Sequence, residues 1–188
     1  MYSANHETSF PRTAALHCPP CQGLMRHIEV YGPHLRFSAA HFTTFGGECE
    51  PLHGHNYAVS ARLEGELTPD SWLFDFVTLR RIVASLCEEL DHAFLLPSRN
   101  PHLAIERSDG HYRIAFADRR YVIPEAEVRA LPIDNSTAER LAEWLAGRLA
   151  DELRARRAAN LTSVAVTVEE APGQSASYVL AAGPGAVQ

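Results

Sequence analysis

Three histidines, His41, His53 and His55, are the residues whose type and spacing best suit metal chemistry. His53 and His55 stand two positions apart, so on a β-strand their side chains point to the same face. His41 ends the preceding strand-like stretch on its apolar face, and pairing of the two strands brings the three imidazoles together. Three neutral imidazoles suit zinc and leave a fourth coordination position open for water or substrate. The alternative from spacing alone is three separately hydrogen-bonded histidines.

Cys49 lies four residues before His53, in the segment that connects the two predicted strands. It can close a structural Cys-His₃ site as a fourth ligand. It can instead act as a thiolate base or nucleophile whose pKa the metal charge lowers. A third interpretation is a small buried apolar side chain. The spacing does not choose among the three.

Two pairs of neighbouring residues can carry acid-base chemistry. Asp91 and His92 end a predicted helix, where a carboxylate can orient an imidazole, although adjacent residues usually point apart. Glu169 and Glu170 end a predicted strand, and Glu170 shares the parity of its buried valines. A carboxylate on an apolar face is costly unless it has a partner, and it can accept a fork of N–H donors from a heterocycle. Glu169 faces the polar side, where we expect a solvated carboxylate.

The elements that position these residues follow from sequence periodicity. Alternation predicts strands within residues 26–42, 53–67, 161–170 and 175–181. Helical spacing predicts a helix over residues 76–90, capped by Asp75. A second helix is predicted to begin at Ser136, which forms an S-x-x-E capping box with Glu139. The two hairpins and two helices predict an α+β fold with both helices on one face of the sheet.

Two segments lack this regularity. Residues 1–25 predict an irregular extension, because prolines and Gly23 interrupt any period. Residues 91–135 are predicted to be irregular apart from one hairpin that turns at Asp109-Gly110. Cys18 and Cys21 form a C-x₂-C pair in the extension, which can bind a metal, be redox-active or be a disordered thiol pair.

Composition and charge exclude several classes of protein. The chain has 188 residues, the size of one domain, and a formal net charge of −6, which argues against a nucleic-acid-binding protein. All 17 basic residues are arginine, so neither a lysine Schiff base nor a P-loop lysine is available. No apolar run approaches the roughly 18 residues that span a bilayer. No secretory signal pattern is visible, so we expect no membrane partner and a cytoplasmic location, with thiols rather than disulfides.

An ordered set of motifs resembles the 6-pyruvoyltetrahydropterin synthase / 6-carboxytetrahydropterin synthase family. The motifs occur in the family's order and cover about residues 26–97 and 132–182. They are Phe37-Ser38-Ala39-Ala40-His41, Cys49-x₃-His53-Gly54-His55-Asn56-Tyr57, Phe74-Asp75-Phe76, Leu90-Asp91-His92, Asn135-Ser136-Thr137-Ala138-Glu139, and Glu170 eight residues before Tyr178.

The resemblance implies the tunnelling fold, a four-stranded antiparallel sheet with two helices on one face, here with an inserted hairpin. It implies a single domain over residues 26–182, with an insertion at 98–131. It also implies a homo-oligomer, in which trimers form a barrel and stack into hexamers with active sites between subunits.

Roles for the site residues follow from the same resemblance. The resemblance implies that His41, His53 and His55 bind catalytic Zn²⁺. It implies that Cys49, Asp91 and His92 transfer protons. It also implies that Glu170, Thr137 and Glu139 contact the pterin. Glu170 would anchor the pterin ring. The capping box explains Glu139 equally well.

The implied substrate is 7,8-dihydroneopterin triphosphate. Zinc would polarise a side-chain oxygen, the Cys49 thiolate would abstract a proton, and His92, oriented by Asp91, would relay protons as triphosphate leaves. Three residues separate Cys49 from His53, as in the branch that forms 6-carboxytetrahydropterin with loss of acetaldehyde and leads to queuosine. The pyruvoyl-forming branch has a longer gap.

Other functions stay open at this point. Glu50 beside Cys49 is compatible with side-chain cleavage to 6-hydroxymethyl-dihydropterin. Two hypotheses of another class are a closed structural zinc module and a pterin- or purine-binding protein without turnover.

Overall fold

The structure is a computed structural model that describes residues 26–181. The predicted extension over residues 1–25, with its Cys18–Cys21 pair, lies outside the described residues. The elements in chain order are β1 (Arg26–Val30), β2 (Arg36–His41), β3 (Thr44–Phe45), β4 (Glu48–Cys49), β5 (His53–Gly65), α1 (Phe76–Glu88), β6 (Ala93–Pro97), β7 (Ala104–Ser108), β8 (His111–Phe116), β9 (Arg119–Pro124), a short 3₁₀ turn (Glu125–Glu127), β10 (Val128–Leu131), α2 (Ala138–Ala155), β11 (Leu161–Ala171) and β12 (Gln174–Ala181).

One large sheet carries the predicted hairpins. Its strand order is β10-β6-β2-β5-β11-β12, and β1 also pairs with β5. Strands β2, β5, β11 and β12 are the four antiparallel strands that the sequence predicts. The predicted number of four strands is nevertheless wrong, because β1 continues the pairing along β5 and the parallel strands β6 and β10 extend the sheet beyond β2. The mixed α+β class with two helices is confirmed.

Strand β6 was missed because it does not alternate. All five of its residues are buried, as is typical of a parallel strand that is covered on both faces. The predicted turn at Asp109-Gly110 is confirmed, and both residues have the positive φ of a tight hairpin turn. The prediction of a single hairpin is wrong, since a second turn at Ala117-Asp118 adds β9 and makes a separate three-stranded sheet, β7-β8-β9. That residues 98–131 are an insertion in one domain over 26–182 stays a prediction.

Both helices are present, and only one of the two predicted caps is correct. Asp75 caps α1 by accepting a hydrogen bond of 2.7 Å from the backbone N–H of Thr78. The predicted Ser136–Glu139 capping box is wrong, because Thr137 is the N-cap of α2. Ser136 is fully buried instead, and its hydroxyl donates to the carbonyl oxygen of Phe42, 2.8 Å away. Because this tertiary contact occupies the Ser136 hydroxyl, the N-cap of α2 moves one residue along the chain, to Thr137.

Two apolar cores hold these layers together. The larger core joins the buried faces of α1 and α2 to the sheet face that carries Phe37, Tyr57 and Val166. The second apolar cluster consists of Phe42, Cys49, Phe94, Leu96, Ile114 and Val128 and joins the three-stranded sheet to the large one. Among the described residues, no helix is both long enough and apolar enough to cross a membrane.

Candidate active site

The three predicted histidines converge where β2 meets β5. Antiparallel pairing places His41 opposite His53 and Ala39 opposite His55, so all three imidazoles lie on one face of the sheet. One nitrogen of each ring lies within 4.8 Å of the others. The convergence arises from strand register alone, because alternation fixes which side chains share a face.

Backbone carbonyls orient two of these rings. Nδ1 of His41 donates to the carbonyl oxygen of Ser136 at 2.9 Å, and Nδ1 of His53 donates to that of Pro51 at 2.8 Å. A carbonyl only accepts, so each contact favours the tautomer whose Nε2 carries a free lone pair. His41 is 1% exposed, and this burial lowers its pKa, which keeps the imidazole neutral.

This donor set fits a zinc ion. Zinc takes imidazole nitrogens at 2.0–2.1 Å, and two such nitrogens in a tetrahedral site lie about 3.4 Å apart. Small side-chain rotations bring nitrogens that lie within 4.8 Å to that separation. Carbonyl oxygens on the far ring nitrogens are the usual outer partners of histidine ligands. His41, His53 and His55 could therefore hold zinc and leave one position open.

Glu170 and Tyr57 border the histidine cluster. Oε1 of Glu170 lies 3.4 Å from Nε2 of His41 and 3.8 Å from Nε2 of His55, and its side chain is 26% exposed. The Tyr57 hydroxyl donates to the same oxygen at 3.3 Å and lies 3.2 Å from Nε2 of His41. Burial, with the Glu170 carboxylate beside it, raises the pKa of Tyr57 and keeps the hydroxyl protonated. Sequence reasoning did not assign Tyr57 to the site, although it follows His55 by two positions on the same strand face.

Glu169 is separated from this group, as parity predicted. Its carboxylate accepts a hydrogen bond of 3.1 Å from the backbone N–H of Gly173 in the β11–β12 turn. The strand register shifts between Glu169 and Ala171, so an irregularity at Glu170 helps to turn its carboxylate toward the histidines.

Cys49 lies in the short β3–β4 hairpin, directly before Glu50. Its side chain is buried in the second apolar cluster, and its thiol donates to the carbonyl oxygen of Glu50 at 3.4 Å. Burial raises the pKa of the Cys49 thiol, and the charge of Arg119 opposes that shift. The Glu50 carboxylate is half-buried and accepts a hydrogen bond of 2.5 Å from the Thr43 hydroxyl. Two candidate bases therefore stand on adjacent residues.

Asp91 and His92 form an ion pair, although adjacent side chains usually point apart. The φ of His92 is +53°, and this left-handed backbone brings its Nδ1 to 2.8 Å from Asp91 Oδ2. The backbone N–H of Ser38 donates to Asp91 Oδ1 at 2.7 Å and holds the pKa of the Asp91 carboxyl below its usual range. The His92 side chain is 83% exposed. Among residues 26–181, no hydrogen bond joins this pair to Cys49 or to the three histidines.

A cavity of about 640 Å³ connects parts of the site. It is lined by His55 and His92 and, across from them, by the β9 residues Val122, Ile123 and Pro124. The remaining predicted pterin contacts lie at the start of α2: Thr137 caps the helix, and Glu139 is exposed in its first turn. Neither makes a hydrogen bond to the histidine cluster in the described part of the chain. Their neighbour Ser136 accepts a hydrogen bond from His41 through its carbonyl oxygen. In the sequence, only the motif over residues 135–139 pointed to Ser136.

Comparisons with known proteins agree with this geometry. A family model described as 6-pyruvoyl tetrahydropterin synthase matches residues 33–180. A Methanocaldococcus jannaschii protein, provisionally named 6-carboxy-5,6,7,8-tetrahydropterin synthase, is 36% identical over 154 residues, which cover 80% of this chain and 94% of the relative. A dihydroneopterin monophosphate aldolase of Pyrococcus furiosus is 38% identical over 56 residues, which cover 30% of this chain and 47% of the aldolase.

The fold is also similar to that of solved structures. A Plasmodium vivax 6-pyruvoyltetrahydropterin synthase, solved as a variant in which a catalytic glutamate is replaced by alanine, superposes with a TM-score of 0.80 at 31% identity. The superposition covers 85% of this chain and 99% of the Plasmodium chain.

Proposed function

The chain belongs to the 6-pyruvoyl tetrahydropterin synthase family, and from this premise we propose that it is a zinc-dependent lyase acting on 7,8-dihydroneopterin triphosphate. The proposed products are 6-carboxy-5,6,7,8-tetrahydropterin, acetaldehyde and triphosphate, with uptake of water. The observation that carries the proposal is the convergence of His41, His53 and His55 on one point beside the Glu170 carboxylate. The three-residue gap between Cys49 and His53, and the name of the Methanocaldococcus relative, favour the carboxy product.

His41, His53 and His55 would hold the metal, which when bound supplies a Lewis acid next to the substrate side chain. Glu170 would accept hydrogen bonds from the ring N–H and amino group of the pterin. Its position suits that role, because its carboxylate borders the histidines while its side chain keeps solvent contact. The Tyr57 hydroxyl donates to Oε1 of Glu170 and so would fix the carboxylate for the incoming ring.

Proton transfer would be divided between Cys49 and the Asp91–His92 pair. Asp91 accepts from Nδ1 of His92, which leaves Nε2 of that ring free to take or give a proton. Since His92 is 83% exposed and has no hydrogen bond to Cys49 among the described residues, we place it in a site completed by a neighbouring copy of the chain. A trimer or hexamer would also cover the exposed sheet edges at β10 and β12.

A second candidate function is side-chain cleavage to 6-hydroxymethyl-dihydropterin with Glu50 as the base. The specific observation in its favour is the contrast between the two neighbours: the Cys49 thiol is buried and its pKa is raised, whereas the Glu50 carboxylate is half-buried. A catalytic glutamate in the similar Plasmodium enzyme and the aldolase activity of the Pyrococcus relative point the same way.

One experiment tests both functions. Zinc-loaded full-length protein is incubated with 7,8-dihydroneopterin triphosphate, and the pterin product is identified by mass spectrometry for the wild type, Cys49→Ala and Glu50→Gln. A carboxy product that requires Cys49 and survives Glu50→Gln supports the first proposal. A hydroxymethyl product that requires Glu50 supports the second instead. Tight pterin binding without any product would overturn both and leave a binding protein.

A further inference from the structure

The tip of the β8–β9 hairpin reaches the loop that carries Cys49 and Glu50. Phe116 pairs with Arg119, so only Ala117 and Asp118 form the turn and Arg119 begins β9 at the hairpin tip. Its Nη1 donates to the carbonyl oxygen of Cys49 at 2.6 Å and to that of Glu50 at 2.9 Å. A guanidinium is always protonated, so both hydrogen bonds are charge-assisted and stronger than neutral ones.

The Cys49 carbonyl belongs to the peptide unit that joins the two candidate bases, and the Glu50 carbonyl belongs to the next one. On the other side of the loop, the backbone N–H of Glu50 donates to the carbonyl oxygen of Thr43 at 2.9 Å. The Cys49 thiol donates to the same Glu50 carbonyl that Arg119 contacts. Arg119 therefore shares an acceptor with the Cys49 thiol and holds the backbone from which the Glu50 side chain leaves, while the Thr43 hydroxyl holds the Glu50 carboxylate.

The hairpin that bears Arg119 is itself firmly held. Ile114 of β8 is 1% exposed in the second apolar cluster, where it packs with Cys49. Tyr121 of β9 stacks on Phe42 with ring centroids 5.3 Å apart. Packing at both strands fixes the backbone that carries Arg119 next to the Cys49–Glu50 loop.

A second contact links the same segment to the loop. Asn100 is 5% exposed, and its side-chain amide donates to the Thr44 hydroxyl at 2.8 Å. Thr44 pairs with Cys49 across the β3–β4 hairpin. Residues 98–131 thus reach the Cys49 hairpin by hydrogen bonds from Asn100 and from Arg119, besides the packing of Ile114. Among the described side chains, only Arg119 reaches the Cys49–Glu50 peptide through hydrogen bonds.

We propose that Arg119 is a positioning residue that sets the orientation of the Cys49–Glu50 peptide and thereby determines which of the two side chains acts on the pterin substrate. This inference rests on the proposed function and extends it to the control of product choice. In this role Arg119 acts through its hydrogen bonds to the loop rather than on the substrate itself.

The test compares Arg119→Gln with Arg120→Gln. Arg120 is a matched control, because it is the neighbouring exposed arginine and its Nη1 donates to the carbonyls of Ala117 and Arg119 within its own turn. For both variants and the wild type, zinc content, kcat, KM and the ratio of carboxy to hydroxymethyl product are measured. Alkylation of Cys49 by iodoacetamide, followed by peptide mass spectrometry, adds a readout that needs no turnover.

For Arg119→Gln we expect kcat to fall about tenfold to a hundredfold, because a loop displaced by about 1 Å no longer aligns the base. KM and zinc content should stay near wild type, and the product ratio should shift. Loss of the Arg119 charge by itself raises the Cys49 pKa, so the alkylation rate is divided by the thiolate fraction taken from each variant's pH profile. On that scale Cys49 should be alkylated about fivefold faster, as expected when loss of the Arg119 hydrogen bonds eases loop opening. Arg120→Gln should match the wild type in every measurement.

Equal kcat, product ratio and alkylation rate in the two variants would overturn the proposal. Arg119→Lys keeps the charge but shortens the reach, so its values should fall between those of the wild type and Arg119→Gln. If Arg119→Gln does not fold, Arg119→Lys decides alone: wild-type product ratio and alkylation rate in that variant refute the role. If the wild type converts no substrate, the proposed function fails, and the alkylation comparison still tests whether Arg119 holds the loop.

Discussion

Replacing Glu170 by glutamine should weaken pterin binding at least tenfold, whereas Glu169→Gln should leave it almost unchanged. The two carboxylates belong to neighbouring residues of β11 but lie in different surroundings. Glu170 borders the histidines, with Oε1 3.4 Å from Nε2 of His41, and accepts from Tyr57. Glu169 accepts from the backbone N–H of Gly173 and takes no part in the site.

The magnitude follows from the hydrogen bonds that a carboxylate can accept. A pterin presents a ring N–H and an amino group side by side, and each charge-assisted hydrogen bond contributes about 1.5–3 kcal/mol. Glutamine has nearly the same shape, but one end of its amide is a donor, so at least one of the two hydrogen bonds is lost. At 1.4 kcal/mol for each factor of ten, Glu170→Gln should cost about 10- to 100-fold in affinity.

The assay is calorimetric titration of zinc-loaded protein with neopterin, which lacks the triphosphate. Zinc content is measured on the same samples, so that weaker pterin binding caused by loss of the metal is recognised. Loss of binding in Glu169→Gln together with normal binding in Glu170→Gln would refute the argument. It would mean that the shift in strand register turns the other carboxylate into the site.

Four further predictions concern the metal, the thiol and the assembly. His53→Ala should lose zinc in metal analysis while the exposed-histidine control His34→Ala retains it; full retention in His53→Ala contradicts the three-histidine site. Cys49→Ala should keep zinc and lose turnover by roughly 10²–10⁴-fold, the usual contribution of a general base, and loss of zinc would point to a closed structural site instead. Because burial raises the Cys49 pKa, the thiolate forms at a higher pH than in a free thiol. Iodoacetamide should therefore label Cys49 in the free protein more slowly at pH 8 than it labels a model thiol, and the rate should keep rising above pH 9. Equal rates at pH 8 would disprove the burial argument. Light scattering should find trimers or hexamers at micromolar concentration, since β10 and β12 leave two sheet edges to cover, and a stable monomer counts against assembly.

The sequence was sufficient where strand alternation decides geometry. His41, His53 and His55 lie together because antiparallel pairing in a single register follows from one apolar face. Parity also separates Glu170 from Glu169, although the register shift beside Glu170 had no signal in the sequence. These predictions need only local pattern and the pairing of two strands that are near in sequence.

The sequence was insufficient where contacts between distant segments override the local preference for a helix cap or an alternating strand. Ser136 has the residue type and spacing of a helix cap, but it is buried and its hydroxyl donates to the carbonyl oxygen of Phe42 instead. Strand β6 has no alternation because both its faces are covered. Arg119 gave no local signal, since its importance comes from two backbone carbonyls about seventy positions earlier in the chain.

The contact between His41 and the carbonyl of Ser136 also has a consequence for the order in which the candidate metal site forms during protein synthesis. All three histidine ligands have been synthesised once β5 is complete, and the partner of His53, Pro51, lies only two positions away. The partner of His41 follows 95 positions later, which corresponds to about 5–20 s of translation at typical rates. If the three histidines hold a metal, a nascent hairpin could bind it while the His41 ring still samples both tautomers. Docking of the segment before α2 would then fix the His41 tautomer through the Ser136 carbonyl, so metal binding could precede closure of the core.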